Sequence, residues 1–282
     1  KLVLHANIPT EELIRQVADR EIALTVADTN VAVLNRRYYP AVAIGFPISE
    51  EQSLAWAVRK GNPSLLKEIN AFWEAIKADG TFDKLYRKYY TGVKNFDYVD
   101  VVSFHNAIEK RLPLYEDTIR REAERHGFDW RLIAATIYQE SHFNPQARSH
   151  TGVRGLMQLT LETAAEMGIE NRLDAEESIR GGVKYLAEIY SRFDDIPGRD
   201  RMLFTLASYN VGYGHVRDAQ QIARDKDLPP DKWTSLKETL PLLRLRKYYS
   251  KTPYGYARGT EPVRFVTRIL NYYDILRNQS RS

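Results

Sequence analysis

The chain has 282 residues, of which 43% are apolar and 28% charged, a balance typical of a folded protein with one large or two ordinary domains. Its net charge of +4 permits an anionic partner, but without a long block of Lys and Arg it does not indicate nucleic acid. The absence of Cys excludes disulfides, thiolate catalysis and Cys-ligated zinc.

Residues 1–92 are predicted to fold as an α/β module, because strand-like and helical segments alternate along them. "EIALTVADTNVAVL" (21–34) and "SLAWAVRKGN" (53–62) are predicted to be strands. An amphipathic helix is predicted from Pro63 to a stop at Gly80, followed by a short helix in "TFDKLYRKYYTG".

The pattern changes after Gly92. Residues 93–104 show little periodicity and are predicted to be a connector, whereas residues 105–282 are predicted to be an all-α domain. Its helices are expected in "LYEDTIRREAERHG", "DWRLIAATIYQES", "LTLETAAEMG", "ESIRGGVKYLAEIYSRF", "DRMLFTLASYN" and "EPVRFVTRILNYYDILR". The longest continuous apolar run, residues 38–48, is too short to cross a bilayer.

A carboxylate ends one of these helices in an apolar setting. Ile133, Thr136 and Ile137 lie seven, four and three residues before Glu140, and this spacing puts all four on one side of a helix. A carboxyl group on such a face tends to keep its proton, and a protonated acid can donate to a leaving group. The alternative is a helix end that carries an ordinary solvated Glu.

Other catalytic chemistries have no recognisable motif here. The chain has no G-x-S-x-G, no H-E-x-x-H, no Asp-rich calcium loop and no P-loop. We therefore expect no metal and no organic cofactor, and carboxylate chemistry is what remains.

Two further segments follow Glu140 in a fixed order. Gly155-Leu-Met-Gln158 comes first, and Ala207-Ser-Tyr-Asn-Val-Gly212 follows. With Glu140-Ser141 and the helix "SIRGGVKYLAEI", this set resembles the lytic transglycosylases related to goose-type lysozyme, over roughly residues 105–282. The closing motif departs from that family, because Phe265 stands where the family has Tyr.

The resemblance implies cleavage of peptidoglycan glycan strands at the bond between N-acetylmuramic acid and N-acetylglucosamine, without water, to give 1,6-anhydro ends. Glu140 would act as the general acid and then as the base. The residues expected to bind the sugar and position Glu140 are Ser141, Met157, Gln158, Tyr209 and Asn210. Two alternatives stay open: a muramidase that hydrolyses the same bond, and a murein-binding sensor without turnover.

Residues 1–92 resemble the C-terminal part of periplasmic amino-acid-binding proteins. Asp28 and Thr29 match a position that often holds the ligand's amino group. Joined to the transglycosylase-like domain, this module is expected to bind muropeptides or stem peptides and to regulate the enzyme. The resemblance also implies a periplasmic location at the outer membrane of a Gram-negative bacterium, with any membrane anchor in a segment outside this chain.

Overall fold

The computed structural model describes residues 3–4, 7–86 and 98–279. The chain divides into two compact units, Lys1–Ser103 and Phe104–Ser282. The boundary falls in helix α5, Tyr98–Lys110. Residues 98–104 of the predicted connector are therefore helical, and residues 93–97 lie outside the described part.

Helices make up the regular structure described in the first unit. They are α1 (Thr10–Ala18), α2 (Thr29–Asn35), α3 (Pro63–Ala78) and α4 (Thr81–Tyr86). The prediction for α3 is confirmed at both ends. The Asn62 side chain accepts a hydrogen bond from the Leu65 amide at 3.1 Å, Pro63 occupies the first turn, and Gly80 has a φ of +75° just after the last turn.

The two predicted strands are not formed in the described residues. Residues 29–35 are helical, and residues 24–28 and 50–59 follow irregular paths without a β-bridge. A strand is stable only when its N–H and C=O groups pair with a neighbour, and the described part of this unit supplies none. Leu24, Val26, Leu54 and Trp56 consequently remain exposed. The alternation of apolar residues predicted an extended conformation, but it could not predict the neighbouring strand that this conformation requires.

The second unit is all-α in the described residues, apart from two isolated β-bridges. After α5 its helices are α6 (Glu116–Arg125), α7 (Trp130–Ser141), α8 (Leu161–Met167), α9 (Ala175–Ser191), α10 (Gly198–Val211), α11 (Tyr213–Asp225), α12 (Trp233–Thr239), α13 (Arg246–Tyr249) and α14 (Thr260–Gln279). Short 3₁₀ turns occupy Leu112–Leu114 and Leu240–Arg244. No described helix is both long and apolar enough to span a membrane.

The core of the second unit is built around α7. This helix is buried on most of its surface, and α14 packs against both α7 and α10. An aromatic cluster joins three helices: Phe104 of α5 lies 4.5 Å from Tyr138 of α7 and 4.5 Å from Tyr272 of α14, between ring centroids. The last turn of α7 is therefore held at a fixed position.

Candidate active site

Glu140 lies in the last turn of α7. Ile133, Thr136 and Ile137, which the spacing placed on its side of the helix, are all fully buried. The Thr136 hydroxyl donates to the Leu132 carbonyl oxygen at 2.8 Å, so this polar group is satisfied within the helix. The carboxyl group of Glu140 thus ends an apolar stripe.

The carboxyl group of Glu140 is strongly desolvated. Its side chain keeps some solvent-accessible surface, yet protein atoms crowd the carboxyl group, and this desolvation raises its pKa from 4.5 to about 8. Partial exposure of the residue and strong desolvation of its carboxyl group are compatible, because protein atoms can crowd the carboxyl group while another part of the residue contacts solvent. The position at the C-terminal end of a helix acts in the same direction, since the helix dipole disfavours an anion there. The group is therefore protonated at neutral pH.

A left-handed turn follows Glu140 directly. His142 has a φ of 52° and Phe143 a φ of 56°, conformations that are costly for residues other than glycine. Phe143 is buried, and an Arg111 guanidinium nitrogen donates to the His142 carbonyl oxygen at 2.9 Å. Arg111 precedes the recognised motifs, and its isolated place in the sequence gave no signal of this contact.

The segment 147–159 forms a closed loop beside the site. The Gln158 side-chain amide donates to the carbonyl oxygens of Ala147, at 3.2 Å, and Gly155, at 2.8 Å. Gln158 itself has a φ of 49°. Gly155 has a φ of +82°, and a Cβ there would overlap the Arg172 carbonyl oxygen, so only glycine fits. These hydrogen bonds make Gln158 a brace of the loop.

Met157 is fixed through its backbone from two helices. Its amide donates to the Ser178 hydroxyl of α9 at 3.2 Å, and its carbonyl oxygen accepts from the Tyr209 hydroxyl of α10 at 2.7 Å. Its side chain is fully buried against Gly182, where a Cβ would overlap it. The Met157 side chain therefore belongs to the core, and its backbone belongs to the loop of residues 147–159.

Tyr209 stands close to Glu140. Burial raises the pKa of Tyr209 well above 10, and the nearby charges of Glu140 and Tyr185 add to this effect. The rings of Tyr185 and Tyr209 lie 5.5 Å apart. Asn210 follows at the end of α10 and is exposed. Tyr185 was not assigned to the site from the sequence, although it lies in the "SIRGGVKYLAEI" motif that would have indicated it.

The other predicted residues have different surroundings. The buried Ser141 donates its hydroxyl proton to the Ile137 carbonyl oxygen at 3.1 Å, and so supports the end of α7. Phe265 is a core residue of α14. Asp28 and Thr29 are exposed at the start of α2 in the first unit, and Asp28 makes no side-chain capping bond there.

The described groups support one kind of chemistry. Burial alone raises the pKa of Glu140, and no hydrogen bond to its carboxyl group is found among the described residues. The described residues also contain no cluster of His, Asp and Glu suited to a metal. The site thus presents one protonated carboxylic acid near two tyrosines and a loop that is held by hydrogen bonds.

Two family models match the chain. "Transglycosylase SLT domain" matches residues 117–230, and "Bacterial extracellular solute-binding proteins, family 3" matches residues 7–92. An inactive mutant of the lytic transglycosylase Slt from Pseudomonas aeruginosa matches with 28% identity over 58% of this chain and 24% of that one, at a TM-score of 0.45.

Longer matches come from relatives named membrane-bound lytic murein transglycosylase F. The protein from Desulfosudis oleivorans is 61% identical over 280 residues, which are 99% of this chain and 62% of the relative. The protein from Shewanella woodyi is 52% identical over 94% of this chain and 55% of its own length. The chain thus spans less than two thirds of either relative. The chain is therefore similar over nearly its whole length to proteins of this name, and the two family models match its two parts in chain order.

Proposed function

We propose that the second unit cleaves peptidoglycan glycan strands at the β-1,4 bond between N-acetylmuramic acid and N-acetylglucosamine, without consuming water. The observation that carries this proposal is the desolvated carboxyl group of Glu140, whose pKa of about 8 keeps it protonated at neutral pH. The names of the relatives support peptidoglycan, also called murein, as the substrate.

In the first step Glu140 gives its proton to the oxygen that joins the two sugars. The bond from that oxygen to the muramoyl C1 breaks, and its electron pair leaves with the N-acetylglucosamine. The acetamido oxygen of the muramoyl residue stabilises the electron-deficient C1. This substrate-assisted step suits a site with one carboxylate, because common glycosidases need two.

In the second step the ionised Glu140 takes the proton of the muramoyl C6 hydroxyl. The C6 oxygen bonds to C1, the acetamido oxygen is released, and the product is a 1,6-anhydro end. Glu140 returns to its protonated form, so the cycle closes without another acid. A group with a pKa of about 8 suits both halves of this cycle.

The neighbours of Glu140 have distinct proposed roles. Asn210, exposed at the end of α10, binds polar groups of the sugar, and Tyr209, which lies near Glu140, positions the loop through its bond to Met157. Gln158 and Met157 hold the shape of the loop, and Ser141 fixes the last turn of α7. These contacts preorganise the acid relative to the bond it protonates.

Digestion of purified murein followed by mass spectrometry of the sugar ends tests the reaction. We expect anhydro ends from the unaltered protein and a loss of several orders of magnitude in rate from Glu140→Gln, which keeps the shape of the side chain. Reducing ends, which carry one more water, would instead establish a hydrolytic muramidase. Binding of murein without any cleavage would establish a sensor.

For the first unit we propose recognition of a muropeptide or stem peptide in the periplasm, at the outer membrane. The support is the family 3 solute-binding match over residues 7–92, with Asp28 and Thr29 exposed at the start of α2. Calorimetry with purified muropeptides tests binding, and turnover with and without them tests regulation. Equal turnover in both conditions would exclude regulation.

A further inference from the structure

An exposed aromatic surface lies in the segment between α13 and α14. We call it the tyrosine shelf, and it consists of Tyr249, Tyr254 and Tyr256. Tyr254 is 60% exposed and Tyr256 is 56% exposed, although aromatic rings are stabilised by burial. The rings of Tyr249 and Tyr256 meet edge to face at 5.7 Å between centroids. The shelf therefore exposes aromatic rings that also brace each other.

The backbone of the shelf is anchored to the helical core. The Tyr254 amide donates to the Asp218 carboxylate at 3.0 Å, and Asp218 is buried in α11. The Ala257 amide donates to the Leu243 carbonyl oxygen at 3.2 Å. Gly259 lies so close to the Leu240 carbonyl oxygen that a Cβ would overlap it. Anchored loops lose little entropy when they bind, so the rings are preorganised for a ligand.

Tyr254 of the shelf packs against the start of α11, which follows the helix end that carries Tyr209 and Asn210. The Tyr254 ring lies against Gly214, where a Cβ would overlap it, and 6.2 Å from the His215 ring. Gly214 follows Asn210 by four residues, after the junction at Gly212 where α10 ends. Tyr209 and Asn210 thus precede the junction at Gly212, and Gly214, which the Tyr254 ring covers, follows it.

The segment that carries the shelf is basic. Residues 244–260 contain five basic residues and no acidic one, and the basic residues are Arg244, Arg246, Lys247, Lys251 and Arg258. Each of these side chains belongs to an exposed residue. Peptidoglycan strands carry carboxylates on their stem peptides, and on lactyl groups that bear no peptide, so the basic charge complements them.

We propose that the tyrosine shelf is an additional saccharide-binding subsite, which holds a part of the glycan strand that lies away from the cleavage point. The apolar face of a pyranose ring stacks on an exposed tyrosine ring, and the surrounding cations attract the strand's carboxylates. This assignment rests on the proposed function, since it takes the same glycan strand as its ligand.

The test measures how the affinity depends on strand length. In the complete protein carrying Glu140→Gln, binding of soluble peptidoglycan strands of two defined lengths is compared with and without Tyr254→Ala or Tyr256→Ala. We expect each alanine to reduce the preference for the longer strand by about three- to tenfold, the worth of one aromatic contact. Tyr254→Phe and Tyr256→Phe keep the ring and retain most of that preference.

Leu114→Ala is the matched control, because Leu114 is 72% exposed on a different segment, and we expect it to leave the preference unchanged. An unchanged preference in both tyrosine-to-alanine variants would overturn the assignment of the tyrosine shelf as a subsite. An equal loss of affinity for short and long strands would overturn it too. Failure of the proposed function would look different: the unaltered protein would then produce no anhydro ends from murein, whatever the length dependence of binding.

Discussion

The hydroxyl of Tyr209 donates a hydrogen bond to the carbonyl oxygen of Met157 at 2.7 Å, and so connects residues that are 52 positions apart in the chain. The Met157 amide is bonded in turn to the Ser178 hydroxyl. The loop beside Glu140 is therefore held by α9 and α10 together. Because the Met157 residue is fully buried, water cannot easily replace Tyr209 as its donor.

Tyr209→Phe removes this donor while keeping the ring. The carbonyl oxygen of Met157 is left unsatisfied, and we expect a loss of about 1–3 kcal/mol in the free energy of unfolding together with reduced kcat. Chemical denaturation and murein digestion measure the two effects. Tyr273→Phe is the matched control, because its hydroxyl bonds Asp129 at 2.8 Å, away from the loop that carries Met157. Equal losses of kcat in both variants would contradict a specific role for Tyr209.

The pH dependence of turnover reports the protonation of Glu140. The acid must be protonated when the sugar binds, and its pKa is raised to about 8 by burial. We expect kcat/KM to be constant at neutral pH and to fall as pH rises through about 8. A second essential carboxylate would add an acidic limb near pH 4 to 5. Its appearance in a protein that remains folded would contradict the single-carboxylate mechanism.

Stability should depend on the same group. The folded pKa of about 8 lies above the unfolded value of 4.5, so the folded state holds this proton more tightly. The stability of the fold with Glu140 protonated is therefore fully present below about pH 4.5. It decreases as the pH rises, and this contribution is lost once the pH passes about 8. We expect the protein to lose a few kcal/mol relative to Glu140→Gln across this window. Parallel stability curves for the two proteins would show that the carboxyl group is not desolvated.

The spacing of apolar residues was sufficient to predict the helix that carries Glu140. Ile133, Thr136 and Ile137 form a strong apolar stripe, and the helix was predicted with nearly its observed ends. Helix α11 was not predicted, although Val216, Ala219, Ile222 and Ala223 recur on its buried face at helical spacing. The same face also buries the polar Asp218 and Gln220, which sequence patterns place on a surface.

The prediction of strands in the first unit was wrong for another reason. Alternation of apolar residues describes how a strand would fit a sheet, but not whether a neighbouring strand is present.

The hydrogen bonds around the candidate active site could not be predicted from the sequence either. Arg111 lies 31 residues before His142, and neither residue type signals a contact between a guanidinium and a backbone carbonyl. Contacts of this kind arise from packing, which brings distant segments together.

Gly182 tests whether the packing under Met157 sets the geometry of the site. Gly182 lies in α9, and a Cβ there would overlap the Met157 side chain. Gly182→Ala should therefore push Met157 away from α9 and cost about 1–3 kcal/mol of stability by overpacking, despite the better helix propensity of alanine. Gly45→Ala is the control, since nothing lies within 4 Å of its Cβ position. We expect Gly182→Ala to lower kcat at temperatures where the protein is fully folded, because the carbonyl oxygen that Tyr209 contacts moves with Met157. If stability falls while kcat is retained, the loop holds its shape independently of the helix beneath it.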